Sequence, residues 1–259
     1  MGIYNCSKTL DASILSIINQ TYPNWEFIIC DDGSSDDSYQ VAKKYERKDP
    51  RIKVIKNNTN LGLAASLNNC FAVSTGDYVA RQDGDDVSEP DKLEKQLDFL
   101  EQNSEFAMVG TWMNVFDEQG EWGLVRTKAQ PNKIDFIFGS PFCHATMMIR
   151  RHDLEKVNAY RVSKHTMRCE DYDLWMRMYA VDLKGYNIAA PLYKVRIDHH
   201  TFTRRKFKDR LFSMCVGWKG YRLMRMPFYL YPFLFRSVLG GVVPQGIQTL
   251  YQQMKLRRR

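Results

Sequence analysis

Apolar residues recur at helical spacing through "SKTLDASILSIINQ" (7–20), at Leu10, Ile14, Ile17 and Ile18, with Ser7 placed as the N-cap. "WEFIIC" (25–30) is a short, mostly apolar run of the kind that makes a buried strand. "DDGSSDDS" (31–38) then reads as a turn and "SYQVAKKYE" (38–46) as a helix. "IKVI" (52–55) predicts a strand, "LAASLNNCFAV" (63–73) a helix and "DYVA" (77–80) another strand. Strands and helices alternating at this spacing predict an α/β fold, a mostly parallel sheet with helices on both faces. Ligands of such sheets gather at the carboxyl ends of the strands. Beyond residue 100 the pattern turns to α+β: "FAMVGTWMNVF" (106–116) and "ATMMIRR" (145–151) predict strands, and "EDYDLWMRMYA" (170–180) a helix. A doubly wound fold normally opens on a strand, whereas "MGIYN" offers at most a stub. The expectation is therefore a first strand that begins upstream of Met1 or has been truncated.

Charge divides the chain. Residues 204–259 hold thirteen Lys/Arg against the single acid Asp209, so the net charge of +7 leaves an acidic body in residues 1–203. We expect one domain over 1–203 and a basic amphipathic segment over 204–259. Within that segment "MPFYLYPFLFRSVLGGVVP" (226–244) is the most apolar stretch, interrupted by Pro227, Pro232, Arg236 and Gly240-Gly241. A membrane span needs about 20 predominantly apolar residues, and a central Arg is expensive there. The stretch reads better as interfacial, its basic flanks worth about 1 kcal/mol per residue at an anionic surface. A helical hairpin packed on the body is the competing reading. Nucleic acid is not the expected partner, because no base-reading motif accompanies the basic residues. The six cysteines are scattered, with no CxxC pair, and predict free thiols in a reducing compartment. The first 30 residues lack a basic segment leading into an apolar core, so a cytoplasmic location is expected, peripheral on the inner face of the plasma membrane.

The candidate chemistry is acidic. Asp31-Asp32 and Asp83-Gly84-Asp85-Asp86 both fall at predicted strand ends. Three carboxylates within four positions repel unless a positive group sits among them. Asp83 and Asp85 have the spacing to share one divalent cation that completes its shell with substrate phosphates. A solvated acidic turn before the helix that follows Pro90 would read the same.

Several blocks together carry a resemblance. Tyr4-Asn5, "SILSIINQTYPNWEFIICDDGSSDDS" (13–38), "NLGLAASLNN" (60–69), "GDYVARQDGDD" (76–86) and "EDYDLWMRM" (170–178) follow one another in the order and spacing of bacterial family 2 glycosyltransferases, inverting enzymes of the GT-A fold. The resemblance covers about residues 3 to 200. It implies that Tyr4 and Asp32 hold the nucleotide base, with Asp31 beside that site. It implies that Asp83 and Asp85 bind Mg2+ or Mn2+, Asp85 being favoured as the direct ligand, and that Asp86 is positional. Asp171 matches the general base, although acids in a first helical turn also suit the helix dipole. His144 resembles a His that recurs before a strand near the active site. Relatives carry a further His soon after the "LYKVR"-like strand; here Arg196 falls at that slot, as a candidate phosphate contact, and His199-His200 lie three residues on.

The implied reaction is transfer of a sugar from a nucleotide-sugar donor, with UDP-sugar expected, to a hydroxyl of a glycan or lipid-linked glycan in surface-polysaccharide synthesis. Two alternatives remain: a non-catalytic nucleotide-sugar binder or truncated pseudoenzyme, and a metal-dependent nucleotidyltransferase. The latter needs a basic triphosphate loop after the first strand, which the chain does not display.

Overall fold

The computed structural model describes residues 1–197, 207–241 and 245–257. The first half alternates as expected: β1 (Gly2–Ile3), α1 (Ser7–Ile18), β2 (Phe27–Asp31), α2 (Ser38–Glu46), β3 (Ile52–Lys56), α3 (Leu63–Val73), β4 (Tyr78–Ala80), β5 (Val87–Ser88) and α4 (Lys92–Gln102). The rest comprises β6 (Phe106–Asp117), β7 (Gly120–Val125), β8 (Met148–Arg150), α5 (Arg151–Lys156), α6 (Glu170–Ala180), β9 (Lys184–Arg196), α7 (Phe207–Leu223), α8 (Phe235–Leu239) and α9 (Gln245–Arg257). Three 3-10 segments, Lys133–Phe138, His144–Thr146 and Phe228–Leu234, link them.

The sheet departs from the expected one. β1, β2 and β3 form a three-stranded parallel sheet. β4, β8, β6, β9 and β5 form a second, mixed sheet in that order, with β7 on β6. Only β6 and β9 pair in parallel there, and the other pairs are antiparallel. Chain geometry explains the change. β6 returns as β7 through a turn at 118–119, and such tight returns make antiparallel neighbours. β9 reaches its parallel register beside β6 only after the long excursion through β8 and α6.

Ser7 is not the N-cap expected from the sequence. Cys6 occupies that position and offers no side-chain cap. The first amides are satisfied from α2 instead: Cys6 N–H donates to Ser38 Oγ (2.8 Å) and Ser7 N–H to Asp36 Oδ2 (3.0 Å). The predicted inner face of α1 holds, with Leu10, Ile14 and Ile17 buried against Phe27, Ile29 and Ile52. A larger core lies between the second sheet and α6, around Met108, Met147 and Trp175. Val216, Tyr221, Leu230, Tyr231 and Leu234 of the basic segment belong to that same core. The inner side of the segment is thus an integral part of the packing, and its outer side exposes Phe228, Tyr229, Phe235 and Leu239. Among the described residues no helix is long and apolar enough to cross a membrane. All six cysteines are free thiols.

Candidate active site

The positive group among the carboxylates is Arg81. It follows β4 directly and is held by its amide, which donates to Met147 O (2.8 Å). Its side chain is 4% exposed, and Nη2 lies 2.5 Å from Asp83 Oδ1. Burial opposes the guanidinium charge, but the Asp83 carboxylate more than offsets this and keeps the group firmly charged. Beneath it lies Lys92, fully buried, whose Nζ donates to Arg81 O (3.1 Å). Burial and then the neighbouring Arg81 charge bring the Lys92 pKa down to about 7. The loop is fixed from α1 as well, because Ser13 Oγ donates to Asp83 O (2.6 Å) and Thr9 Oγ1 to Gly84 O (2.9 Å). A Cβ on Gly84 would stand 2.8 Å from Cys6 Sγ and 3.2 Å from Ile3 Cγ2, so the close approach of loop and α1 requires glycine.

The three carboxylates have different surroundings. Asp85 is exposed and Asp83 partly so, whereas Asp86 is buried. Asp86 Oδ1 accepts the amide of Arg196 (2.8 Å), which ties the end of β9 to the acidic loop. Burial, then the charges of Asp83 and Asp85, push its pKa up to about 8. The Arg196 guanidinium stacks over Phe116 (4.7 Å), with Nε buried and without a hydrogen-bond partner among the described residues. His199 and His200 lie outside the described residues.

Asp31 and Asp32 end β2, both buried. Asp31 accepts the Ser34 amide (3.3 and 3.4 Å) and lies 4.0 Å from Lys56 Nζ. Asp32 Oδ1 accepts from Asn57 Nδ2 and the Leu61 amide, and Oδ2 from the Gly62 amide, each at 2.8 Å. It therefore fixes the loop that leads into α3. Tyr4 is 50% exposed, and the following Asn5 has φ +50. Asn5 is clamped to the turn after β2: its amide donates to Ser34 Oγ (3.0 Å) and its Oδ1 accepts the Ser35 amide (2.9 Å). Asp36 completes the clamp. Burial would raise its pKa, but hydrogen bonds from Ser38 and Ser7 outweigh this and hold it at about 2.

On the other side, His144 Nε2 and Tyr160 OH are 2.7 Å apart, and the imidazole packs edge-on to Trp175. Burial and then the Arg81 charge push the His144 pKa well below its usual value, so the ring is neutral at pH 7. Tyr160 is raised by burial and lies in the fields of Arg81, Asp171, Glu170 and Asp83. It stands between the acidic loop and the start of α6. Glu170 is raised by its own burial first and then by Asp171. Asp171 opens onto a cavity of about 470 Å³. Asp173, two residues on, is buried between Arg161 (2.9 Å) and Arg177 (2.7 Å) and serves packing.

The structure puts Asp83 and Asp171 in the field of the same Tyr160, with Asp85 and Asp86 on the acidic loop and His144 in the field of Arg81; Tyr4, Asp31 and Asp32 lie at the end of the parallel sheet. Sequence reasoning missed Arg81, Lys92, Tyr160 and Tyr193, whose hydroxyl accepts the Asp83 amide (3.1 Å). Arg81 carried a signal, being the one cation next to three acids. Lys92 carried none, since a lysine opening an amphipathic helix reads as solvent-facing.

Among the described residues no group of three or more His, Cys, Asp or Glu side chains converges on one point. Asp83 and Asp85 provide hard oxygen ligands, one of them exposed. That set fits an ion that draws the rest of its shell from a diphosphate and water.

Comparison with known proteins gives the family and the fold. Residues 1–157 match the model of glycosyl transferase family 2. The chain is 42% identical over 257 residues to EpsE of Bacillus subtilis (strain 168), which bears a provisional glycosyltransferase name, covering 99% of this chain and 92% of that protein. It is 29% identical over 212 residues to the Escherichia coli UDP-Glc:alpha-D-GlcNAc-diphosphoundecaprenol beta-1,3-glucosyltransferase WfaP, covering 81% and 80%. Its fold matches S. aureus TarS 1–349 in complex with UDP-GlcNAc, with TM-score 0.71 and 17% identity over 98% of this chain and 79% of the other. It also matches a Pyrobaculum calidifontis mannosyltransferase in complex with GDP-Man and Mn2+, with TM-score 0.68 and 12% identity over 98% and 78%. The α/β architecture is GT-A-like, and the chain belongs to glycosyl transferase family 2.

Proposed function

We propose that this glycosyltransferase moves a sugar from a nucleotide-sugar donor, a UDP-sugar, to a hydroxyl of a lipid-linked glycan in surface-polysaccharide synthesis, with inversion at the anomeric carbon. One observation carries this reading. Tyr160, whose hydroxyl lies 2.7 Å from His144 Nε2, stands in the fields of both Asp83 and Asp171, which supports reading the two acids as facing the same substrate from opposite sides. Tyr4 presents its ring to the nucleotide base, beside Asp31 and Asp32. Asp83 and Asp85 hold Mg2+ or Mn2+, which when bound supplies Lewis-acid stabilisation to the departing diphosphate. Asp171 accepts the acceptor proton, a role worth about 10²–10⁴-fold in rate. The neutral His144 lines the space between them and adds no positive charge to the sugar pocket. Arg196 is a reserve cation for phosphate if its guanidinium leaves Phe116. The acceptor class is supported by the name of the WfaP relative.

The same reading places the protein at the cytoplasmic membrane surface. Phe228, at 80% exposure, Tyr229, at 73%, and the exposed stripe Ile247, Leu250, Tyr251 and Met254 on α9 form apolar faces within a basic segment. Calorimetric titration of UDP, GDP and dTDP, with and without Mn2+, tests the donor assignment. Mn2+-dependent binding of UDP alone is expected. Metal-independent binding, or no preference among the three, would refute it.

A further inference from the structure

The cavity beside Asp171 is more cationic than a neutral sugar requires. Its lining brings three guanidinium groups, Arg168, Arg210 and Arg236, against one carboxylate, Asp171. The arginines come from three places: the turn before α6, the first turn of α7, and α8. Each is positioned by a contact of its own. Arg210 Nη1 donates to Ser237 O (3.2 Å) and lies against Gly240 and Gly241, where a Cβ would stand 3.1 and 2.8 Å from its side chain. Arg236 is held over the Phe138 ring (5.2 Å). Arg168, at φ +62, turns the chain into α6, with Nε 3.8 Å from Asp209. None of the donor-side residues Tyr4, Asp31, Asp32, Asp83 and Asp85 lines this cavity. The arginines therefore address a second ligand.

We infer that this cavity binds the diphosphate of a lipid-linked acceptor, the three arginines gripping its phosphates while the attached sugar offers its hydroxyl to Asp171. Guanidinium forks match phosphate oxygens in pairs, and several together give a field that a neutral glycan cannot use. The rim supplies the other half of the ligand's chemistry. Phe138 and Phe233 line the cavity and are exposed, and Phe235 and Leu239 are exposed on α8 with Arg236, so together they offer an apolar path for a polyprenyl chain. A free anion has no use for that rim. The inference rests on the assignment of Asp171 as the base that receives the acceptor hydroxyl.

The test is calorimetric binding to the full chain in neutral detergent micelles, with geranylgeranyl diphosphate, geranylgeraniol and inorganic pyrophosphate as probes. The protein should bind the lipid diphosphate at least tenfold more tightly than either the alcohol or pyrophosphate. R210Q/R236Q should lose at least tenfold toward the lipid diphosphate alone. The exposed single variant R168Q provides the same reading, at a loss of about threefold, if the double variant does not fold. Saturating UDP should leave the lipid affinity within twofold. Equal binding of alcohol and lipid diphosphate overturns the proposal. Equal binding of pyrophosphate does so as well, by reducing the cavity to a simple anion site. Displacement by UDP overturns it by assigning the arginines to the donor, and variants of unchanged affinity overturn it directly. Asp171→Asn should bind the lipid diphosphate normally. If that variant keeps its transferase activity, the base assignment fails while the lipid measurement still decides the cavity.

Discussion

Around the acidic loop 83–86 the counter-charges are buried and arise nearby in sequence. Arg81 is two residues from Asp83, and Lys92 lies beneath it on the helix that the loop leads into. Around Asp171 the order is reversed. The carboxylate opens on a cavity whose cations come from positions 168, 210 and 236, two of them in exposed residues. The first arrangement suits a fixed charge pattern that must hold acids together before any ligand arrives. The second suits recognition of a large ligand that carries its own charge. Desolvated cations within a core hold geometry, whereas solvated cations on a rim can exchange water for phosphate.

Five outcomes would break or sharpen this contrast. Asp85→Ala should remove Mn2+-dependent turnover by about 10³-fold or more, the scale of several kcal/mol that a Lewis acid supplies. Ordinary turnover by that variant would dissolve the acidic pole as a metal site. Asp171→Asn should lower kcat by about 10²–10⁴-fold with donor affinity retained, as measured by initial rates beside UDP titration. Loss of UDP binding instead would move Asp171 into the donor pocket. Arg81→Met removes one partner of a buried pair and should cost about 3 kcal/mol in denaturant unfolding. A change below about 1 kcal/mol would mean that the acids do not need it.

The smaller effects concern the outer surface and the clamp on the Tyr4 loop. Replacing Phe228 and Tyr229 by Ser should weaken binding to anionic vesicles about 100-fold or more, since each fully buried aromatic or aliphatic side chain contributes about 1.5–3 kcal/mol and about 1.4 kcal/mol is tenfold. Both residues are exposed, so the thermal midpoint should stay put; unchanged sedimentation with vesicles would place the membrane contact elsewhere. Asp36→Asn should destabilise by about 1 kcal/mol at pH 7. The folded carboxyl is held at about 2, below its unfolded value near 3.8. The contribution is therefore full above pH 4 and fades as pH falls through 2. A wild-type minus variant difference that stays constant from pH 5 to pH 2 would show that the clamp carries no charge-dependent energy.

Much of the first half was legible because its signals are local. The α2 and α3 spans match their patterns to the residue, and β3 nearly so. The "ATMMIRR" strand shrank to Met148–Arg150, because 144–146 winds into a 3-10 turn that carries His144 and Arg151 opens α5. The mostly parallel sheet was misread for a related reason: strand direction depends on how connections fold back, which periodicity does not record.

By itself the sequence determined most of the first-half helices and strands, the inner face of α1, and that acids cluster at the ends of β2 and β4. Those properties follow from period, turn chemistry and chain order, each readable over a few residues. Only the tertiary structure decided which charges meet. Arg81 became the buried counter-ion of Asp83, and Lys92 came to hold the Arg81 carbonyl, because the β4 end and α4 pack on one another beneath Tyr193. The α1 cap passed to Asp36 and Ser38, and Asp171 gained three arginines from elements up to 65 residues away, because hydrogen bonds and fields act through space.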